Sequence, residues 1–129
     1  KEWSLDYINT NGIDMEVIIR DIEQAIDEYT IIVGHNIQFD IECILHMIPS
    51  SKIKATRQVC TMKSSVNFCK MPKTGAGAAY GGYKWPRLSE LAQCVGIDVE
   101  EERLHDARYD IELTMKSFFE LTQRKVITI

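Results

Sequence analysis

The stretch of residues 31–42 constrains the fold more than any other part of this chain. It opens with three β-branched apolar residues, 31–33, which predict a short buried strand. Residues 34–36 interrupt the apolar run, and the apolar residues that follow predict a helix. A strand that leads directly into a helix is typical of α/β folds, in which ligands bind at the carboxyl ends of the strands. We therefore expect Asp40, just past this strand, at the ligand-binding rim of a sheet.

The size and composition of the chain indicate one globular domain over residues 1–129. The sequence is 45% hydrophobic, enough for a substantial core, and no apolar run reaches the roughly 18 residues of a membrane span, so we expect no membrane partner. Four scattered cysteines form no Cys-x-x-Cys pair, which favours reduced, mostly buried thiols in an intracellular protein, cytoplasmic or nucleoid-associated. The sequence starts without methionine or an apolar leader, so we interpret it as a fragment or an excised domain.

The basic residues are unevenly distributed, although the net charge of the chain is −4. Residues 43–89 hold eight of the 15 Lys and Arg and none of the 19 Asp and Glu. Such a segment produces a positive local field that would steer a polyanion, and a merely solvated basic surface is the alternative interpretation. The same segment includes a glycine-rich stretch, residues 70–87, that matches no phosphate-binding loop.

Apolar periodicity and turn residues predict the remaining secondary structure. Helices are expected over 14–29, 40–47, 61–68, 88–96 and 106–124, a second strand over 55–60, a turn at 9–12 and an acidic linker over 98–102. Asp14 and Asp106 are the expected N-caps of the first and last helices.

Two expectations concern the core. The last helix is expected to present one apolar stripe, formed by Ile111, Met115, Phe118 and Thr122. Trp85 is expected to pack beside Leu88 and Leu91 rather than to stack on bases.

A second polar stretch, residues 105–110, stands at the start of the last predicted helix. We expect its His105 and Asp110 to meet Asp40 in space as part of a metal-dependent nuclease site. Hydrolysis of a phosphodiester at such a site needs carboxylate oxygens around Mg²⁺, with two ions roughly 4 Å apart holding the attacking and leaving oxygens. Histidine has the near-neutral pKa that suits a base for the attacking water.

Both stretches resemble motifs of the DEDDh proofreading exonucleases. Residues 35–40, HNIQFD, resemble the second motif of that family, Asn-x-x-Phe-Asp, and residues 105–110, HDARYD, resemble the third, His-x-Ala-x-x-Asp. Residues 60–63 and 83–91 are similar to the family's usual connection between them. The resemblance covers about residues 11–127, and two motifs in register are far more specific than one.

The resemblance implies a ribonuclease H-like exonuclease fold of the α/β class. It implies 3′→5′ release of nucleotides from single-stranded nucleic acid, DNA being favoured over RNA, in DNA replication and repair with a DNA polymerase as a further partner. By the same resemblance Asp40 and Asp110 would bind metal, His105 would be the general base, and the complete enzyme would hold two Mg²⁺ or Mn²⁺ ions. Asn36 and Phe39 are similar to residues that face the 3′-terminal nucleotide, although Phe39 is as well suited to a core position.

The chain departs from the family at the first motif, an Asp-x-Glu on an N-terminal strand that supplies two more carboxylates. Residues 14–16 imitate its letters, but no apolar strand precedes them, they open an amphipathic helix, and they lie too close to Asp40. We therefore interpret the fold as truncated at the N-terminus, its first strands absent, and expect a strand with Asp-x-Glu upstream of Lys1. A sheet without these strands exposes an edge and one side of its core, so this chain alone is expected to be weakly active or inactive.

The glycine-rich stretch supplies the remaining candidates for substrate contact. Lys70, Lys73 and Lys84 are candidates for phosphate contacts, and Tyr80 and Tyr83 are candidates for stacking on the bases of a single strand. The alternative function is a catalytically degenerate nucleic-acid-binding or scaffolding module of the same fold, against which the intact third motif argues.

Overall fold

The structure is a computed structural model that describes residues 4–129, and it is a mixed α/β arrangement. The helices and strands follow one another as α1 (Leu5–Asn11), α2 (Met15–Ala25), β1 (Ile31–Gly34), α3 (Ile37–Met47), β2 (Arg57–Cys60), α4 (Thr61–Ser64), α5 (Val66–Cys69), α6 (Leu88–Cys94) and α7 (Ala107–Gln123). Short 3-10 helices lie at Lys52–Ala55, Gly75–Tyr80 and Glu101–Arg103. Among these described elements, none of the helices is both long and apolar enough to cross a membrane.

The two strands pair in parallel, with Ile31 opposite Arg57 and Gly34 opposite Cys60. Parallel strands cannot be joined by a hairpin, and here α3 and the Lys52–Ala55 turn make the crossover. Within residues 4–129 the sheet has these two strands, so one edge of β1 has no neighbouring strand. This arrangement confirms the expected α/β class and the strand-to-helix unit around residue 34.

The strands bury different side chains on their two faces, as the period of two in a strand requires. Val33 and Val59 contact a core that α6 and α7 complete with Leu91 and Leu121. Ile32 on the opposite face contacts the cluster formed by α3 and the following turn, whose buried members are Ile37, Ile41 and Ile53. A third cluster, made of Ala92, Tyr109 and Leu113, closes the contact between α6 and α7.

Most of the predicted elements are present, with shifted ends. The Asp14 carboxylate accepts a hydrogen bond from the Glu16 N–H, and the Asp106 carboxylate accepts from Arg108 and Tyr109 N–H, which confirms both expected N-caps. α2 ends at Ala25, four residues before the predicted end, and α3 begins at Ile37, three residues before the predicted start. The helix predicted over 61–68, directly after β2, is divided into α4 and α5 at Ser65.

The predicted turn at residues 9–12 is wrong, because residues 5–11 form α1. The Ser4 hydroxyl caps this helix by accepting from the Tyr7 N–H, and Gly12 follows its last residue. Neither α1 nor α2 contains a buried residue. The Glu23 carboxylate of α2 accepts hydrogen bonds from the Ser51 hydroxyl and the Lys52 N–H, and Ile26 at the end of α2 packs against the cluster that contains Ile41. Residues 1–3 of the expected domain lie outside the described residues.

The apolar stripe expected on α7 is wrong in its position on the helix. Ile111 and Met115 are exposed, and only Phe118 of the predicted stripe is buried. The buried face contains Leu113 and Leu121 instead, because α6 covers that side of the helix.

The expectation for Trp85 is also wrong, since 61% of this residue is exposed while Leu91 beside it in the sequence is fully buried. Pro86 takes the buried position in its place.

The cysteines are free thiols, as expected, but they are not mostly buried. Cys43 is exposed, and Cys60, Cys69 and Cys94 are half-buried. Burial and the neighbouring Cys94 thiol raise the pKa of Cys69 to about 12. Cys69 is therefore a protonated, unreactive thiol at neutral pH.

The two faces of α7 predict contrasting effects of truncation on stability. Leu121→Ala removes a fully buried side chain and leaves a cavity, so the free energy of unfolding should fall by about 2–5 kcal/mol. Ile111→Ala, on the exposed face of the same helix, should change it by no more than about 0.5 kcal/mol. Urea unfolding followed by circular dichroism measures both, and equal losses for the two variants would contradict this assignment of the buried face.

Candidate functional site

A cleft of about 1200 Å³ lies beside β1, between residues of α3 and α7. It contains Asp40, His105 and Asp110, the three residues that the sequence motifs predicted to meet. His35 and Arg87 also line it, and sequence analysis did not propose either as a site residue. Residues of both motifs therefore line the same cleft, although the motifs are far apart along the chain.

Asp40 is presented by the first turn of α3 and is exposed. The helix starts close behind the strand because Gly34 has no Cβ: a Cβ added there would lie 2.6 Å from Ile37 Cδ1. Asn36 then makes the reversal in the left-handed conformation, with φ 68° and ψ 42°, which asparagine tolerates better than most residues. Gly34 and Asn36 thus allow Asp40 to stand one turn after the end of β1.

The second motif is presented by a similar reversal. His105 has a φ of 68° and stands immediately before Asp106, the N-cap of α7. Asp110 lies in the first turn of that helix and is half-buried, and its N–H donates to the Asp106 carbonyl at 2.9 Å. Left-handed conformations at non-glycine residues cost free energy and often occur at functional sites. Here Asn36 precedes α3, which carries Asp40, and His105 precedes the N-cap of α7, which carries Asp110.

His35 is the best-connected polar residue of the cleft. Its Nε2 lies 3.0 Å from the Pro86 carbonyl, which can only accept, so this nitrogen carries the proton. Its Nδ1 lies 3.0 Å from the Thr61 hydroxyl, which is 3.3 Å from the Gly34 carbonyl. Burial lowers the pKa of His35, although the bond to Pro86 opposes this effect. His35 is therefore a neutral imidazole that fixes three chain segments to one another.

The walls of the cleft are largely apolar. They include residues 32–34 at the open edge of β1 together with the exposed side chains of Ile111, Met115 and Phe119 on α7. Opposite them lie Ile37, Ile41 and Ile44 of α3. An apolar groove along an unpaired strand edge is the surface that a further β-strand would cover.

The polar atoms of the cleft match a hard divalent cation in kind but not in number. Asp40, Asp110 and Glu101 line the cleft and offer carboxylate oxygens, the ligands that Mg²⁺ prefers. Within residues 4–129, however, no three His, Cys, Asp or Glu side chains are grouped so that they could hold a metal ion. Asp40, His105 and Asp110 thus share a cleft without forming a complete set of ligands, and two ions would need further carboxylates.

The substrate-binding candidates of the glycine-rich stretch differ in how much of their charge is available. Lys84 Nζ lies 2.5 Å from Glu90 Oε1, so its charge is compensated. Lys73 Nζ donates to the uncharged Gly81 carbonyl at 2.8 Å, and Lys70 is exposed. Burial opposes ionisation of Glu90, but the bonds from Lys84 and from the Arg87 N–H outweigh it and lower its pKa.

The aromatic and amide candidates are all accessible to a ligand. Tyr80 is 87% exposed and Tyr83 41% exposed, and Asn36 is exposed as well. Phe39 is also exposed, by 64%, so its alternative assignment to the core is wrong.

Comparison of the chain with family models, with curated proteins and with solved structures found no match.

The His35 network predicts a specific pH dependence of stability. Because the pKa of His35 in the folded chain is below its ordinary value of 6.5, the unfolded chain binds the proton more readily. The contribution of neutral His35 to the stability of the folded chain is therefore complete above pH 6.5, and it is lost as the pH falls through the pKa of His35 in the folded state. His35→Gln cannot titrate, so the difference in its unfolding midpoint in urea between about pH 5 and pH 8 should be smaller than in the unchanged chain.

His46→Gln is the matched control, because His46 is an exposed histidine in the last turn of α3. Its unfolding midpoints should follow those of the unchanged chain at every pH. If the unfolding midpoints of His35→Gln and of the unchanged chain showed the same pH dependence, His35 would not be the source of that dependence.

Proposed function

We propose that the chain is the catalytic part of a metal-dependent 3′→5′ exonuclease that hydrolyses single-stranded nucleic acid, with DNA favoured over RNA. The observation that carries the proposal is the position of Asp40, His105 and Asp110 in one cleft. These residues belong to two separate motifs, and each aspartate stands in the first turn of a helix. A ribonuclease H-like fold is part of the same proposal, and the parallel β1–β2 pair with its α3 crossover supports it.

The proposed roles follow from the chemistry of each side chain. The Asp40 and Asp110 carboxylates would hold Mg²⁺ or Mn²⁺, and bound metal would supply stabilisation of the negative charge that develops on the phosphate. One ring nitrogen of His105 would take the proton of the attacking water. His105 is exposed, so it is accessible to solvent and substrate. His35, held between Thr61 and Pro86, would keep the start of α3 in place and would not transfer protons.

The shortage of ligands leads to the second part of the proposal. A further strand would pair with the open edge of β1, cover the apolar walls of the cleft and add carboxylates beside Asp40 and Asp110. We propose a segment that carries Asp-x-Glu as the source of this strand, and a DNA polymerase as the partner of the complete enzyme. The three exposed apolar residues of α7, Ile111, Met115 and Phe119, support this reading because a strand in the cleft would bury them.

Binding of Mn²⁺ tests the metal site without requiring activity. In NMR spectra of the chain, Mn²⁺ should broaden the amide signals around Asp40 and Asp110 before any others. Asp40→Asn and Asp110→Asn should each weaken this binding at least about tenfold, because each removes a charged ligand. Glu42→Gln and Glu112→Gln are matched controls on the same two helices, outside the cleft lining, and should not change it.

Hydrolysis tests the catalytic roles. With Mg²⁺ and a 3′-labelled single strand, this chain alone should release nucleotides weakly or not at all, and extension of the chain with a strand that carries Asp-x-Glu should give strong 3′ trimming. In that active form, Asp40→Asn and His105→Ala should each lower the rate at least about a hundredfold. Strong Mg²⁺-dependent trimming by the chain alone would contradict the need for a further strand.

The small number of ligands favours one other function, a nucleic-acid-binding or scaffolding module without hydrolysis. Such a module would bind single strands equally well with or without Mg²⁺ and after Asp40→Asn or His105→Ala. Absence of Mn²⁺ broadening at both aspartates, together with intact binding of single strands, would favour this module over the exonuclease.

A further inference from the structure

The segment of residues 83–87 leads from the glycine-rich stretch to the cleft, and its side chains alternate in exposure. Tyr83, Trp85 and Arg87 are exposed, whereas Lys84 is half-buried and Pro86 is buried. Residues 83, 85 and 87 are thus the exposed side chains of this segment, and we name them the aromatic ribbon.

The backbone under the ribbon is fixed at several points. Tyr83 forms an isolated antiparallel bridge with Pro72, and the Lys84 N–H donates to the Met71 carbonyl at 3.0 Å. The Pro86 carbonyl accepts from His35 Nε2, and the Arg87 N–H donates to Glu90 at 2.7 Å. Proline at 86 also restricts Trp85 to extended conformations. The exposed indole of Trp85 thus stands on a rigid base, which lowers the conformational entropy that a ligand would have to offset.

The position and charge of the ribbon identify the class of ligand. Arg87 lines the cleft that contains Asp40, so the ribbon ends at the proposed site. It lies in the segment of residues 43–89, which contains eight Lys and Arg and no Asp or Glu. The neighbouring acid, Glu90, is paired with Lys84. Two exposed aromatic rings and a guanidinium in a basic segment match the bases and phosphates of a single-stranded nucleic acid.

We infer that the aromatic ribbon is a binding surface for a single-stranded nucleic acid, on which Tyr83 and Trp85 stack against successive bases and Arg87 contacts a phosphate beside the cleft. The direction of the strand towards the cleft rests on the proposed function, but the binding itself does not. Trp85 carries most of the binding because it is the larger and more exposed of the two rings. Lys84, compensated by Glu90, holds the ribbon in place and contributes little to phosphate binding.

Binding of a labelled oligothymidylate to the full chain tests this inference. Fluorescence anisotropy is measured in EDTA, which prevents metal-dependent hydrolysis. Trp85→Ala should lower the affinity about 5- to 150-fold, the effect of removing one stacked base, and Trp85→Phe should restore most of it. Arg87→Gln should reduce the slope of log affinity against log salt by about 0.7, the value for one phosphate contact on a single strand.

Two controls establish that the change is local. Tyr29→Ala removes another highly exposed aromatic residue, at the opposite end of β1 from His35, and should leave the affinity unchanged. Because Trp85 is exposed, Trp85→Ala should also keep the thermal unfolding midpoint of the unchanged chain. In a Trp3→Phe background Trp85 is the sole tryptophan, and its fluorescence should be quenched when the oligonucleotide binds.

The outcomes separate this inference from the proposed function. The inference that the aromatic ribbon binds a single strand would be overturned by any one of three results. These are equal affinities for Trp85→Ala and Tyr29→Ala, Trp85 fluorescence that is not quenched, or no binding of single strands. Binding that depends on Trp85 in a chain that never hydrolyses its ligand, even when a strand with Asp-x-Glu is added, would support the ribbon and overturn the exonuclease. Hydrolysis by the chain, together with undiminished binding by Trp85→Ala, would support the exonuclease and overturn the role of the aromatic ribbon.

Discussion

The parallel pairing of β1 with β2 is the constraint on which the rest of the structure depends. It requires a crossover, so α3 covers one face of the pair while α6 and α7 cover the other. It also brings the residues that follow both strands to one edge of the sheet. His35 after β1 meets Thr61 after β2 at that edge, and its second nitrogen holds the carbonyl of Pro86. The cleft and the aromatic ribbon beside it both follow from this pairing.

The same small sheet accounts for the unusual character of the cleft. The proposed hydrolysis needs polar groups, yet much of the lining here is aliphatic or aromatic, and three apolar side chains of α7 remain exposed. Burial of such side chains is worth roughly 25 cal/mol per Å² of apolar surface, so the cleft is a favourable surface for another polypeptide segment. The strand proposed for this cleft would pair with the open edge of β1 and add carboxylates beside Asp40 and Asp110. The proposed strand would thus account for both the apolar walls and the incomplete set of ligands.

The chemistry of residues close to one another in the sequence was sufficient to predict most of the secondary structure. Asp14 and Asp106 were predicted as N-caps from their own side-chain chemistry, and both accept hydrogen bonds from the first turn of a helix. The buried face of α7 could not be found in the same way, because the helix is apolar on two sides. Leu113 contacts the core beside α6, whereas Met115 faces the cleft, and hydrophobicity alone does not distinguish these surroundings.

The sequence by itself determined the strand-to-helix unit that presents Asp40, the capped helix that presents Asp110, and the basic segment between them. Each of these depends on residues a few positions apart, whose periodicity, capping and charge act locally. Only the tertiary structure decided that His35 connects three segments and that Trp85 is exposed. The partners of His35 lie 26 and 51 residues away along the chain, and Trp85 is exposed because Pro86 occupies the buried position next to it. Such contacts are set by which surfaces meet when the sheet and helices pack, and that choice is made by the whole chain rather than by any one stretch of it.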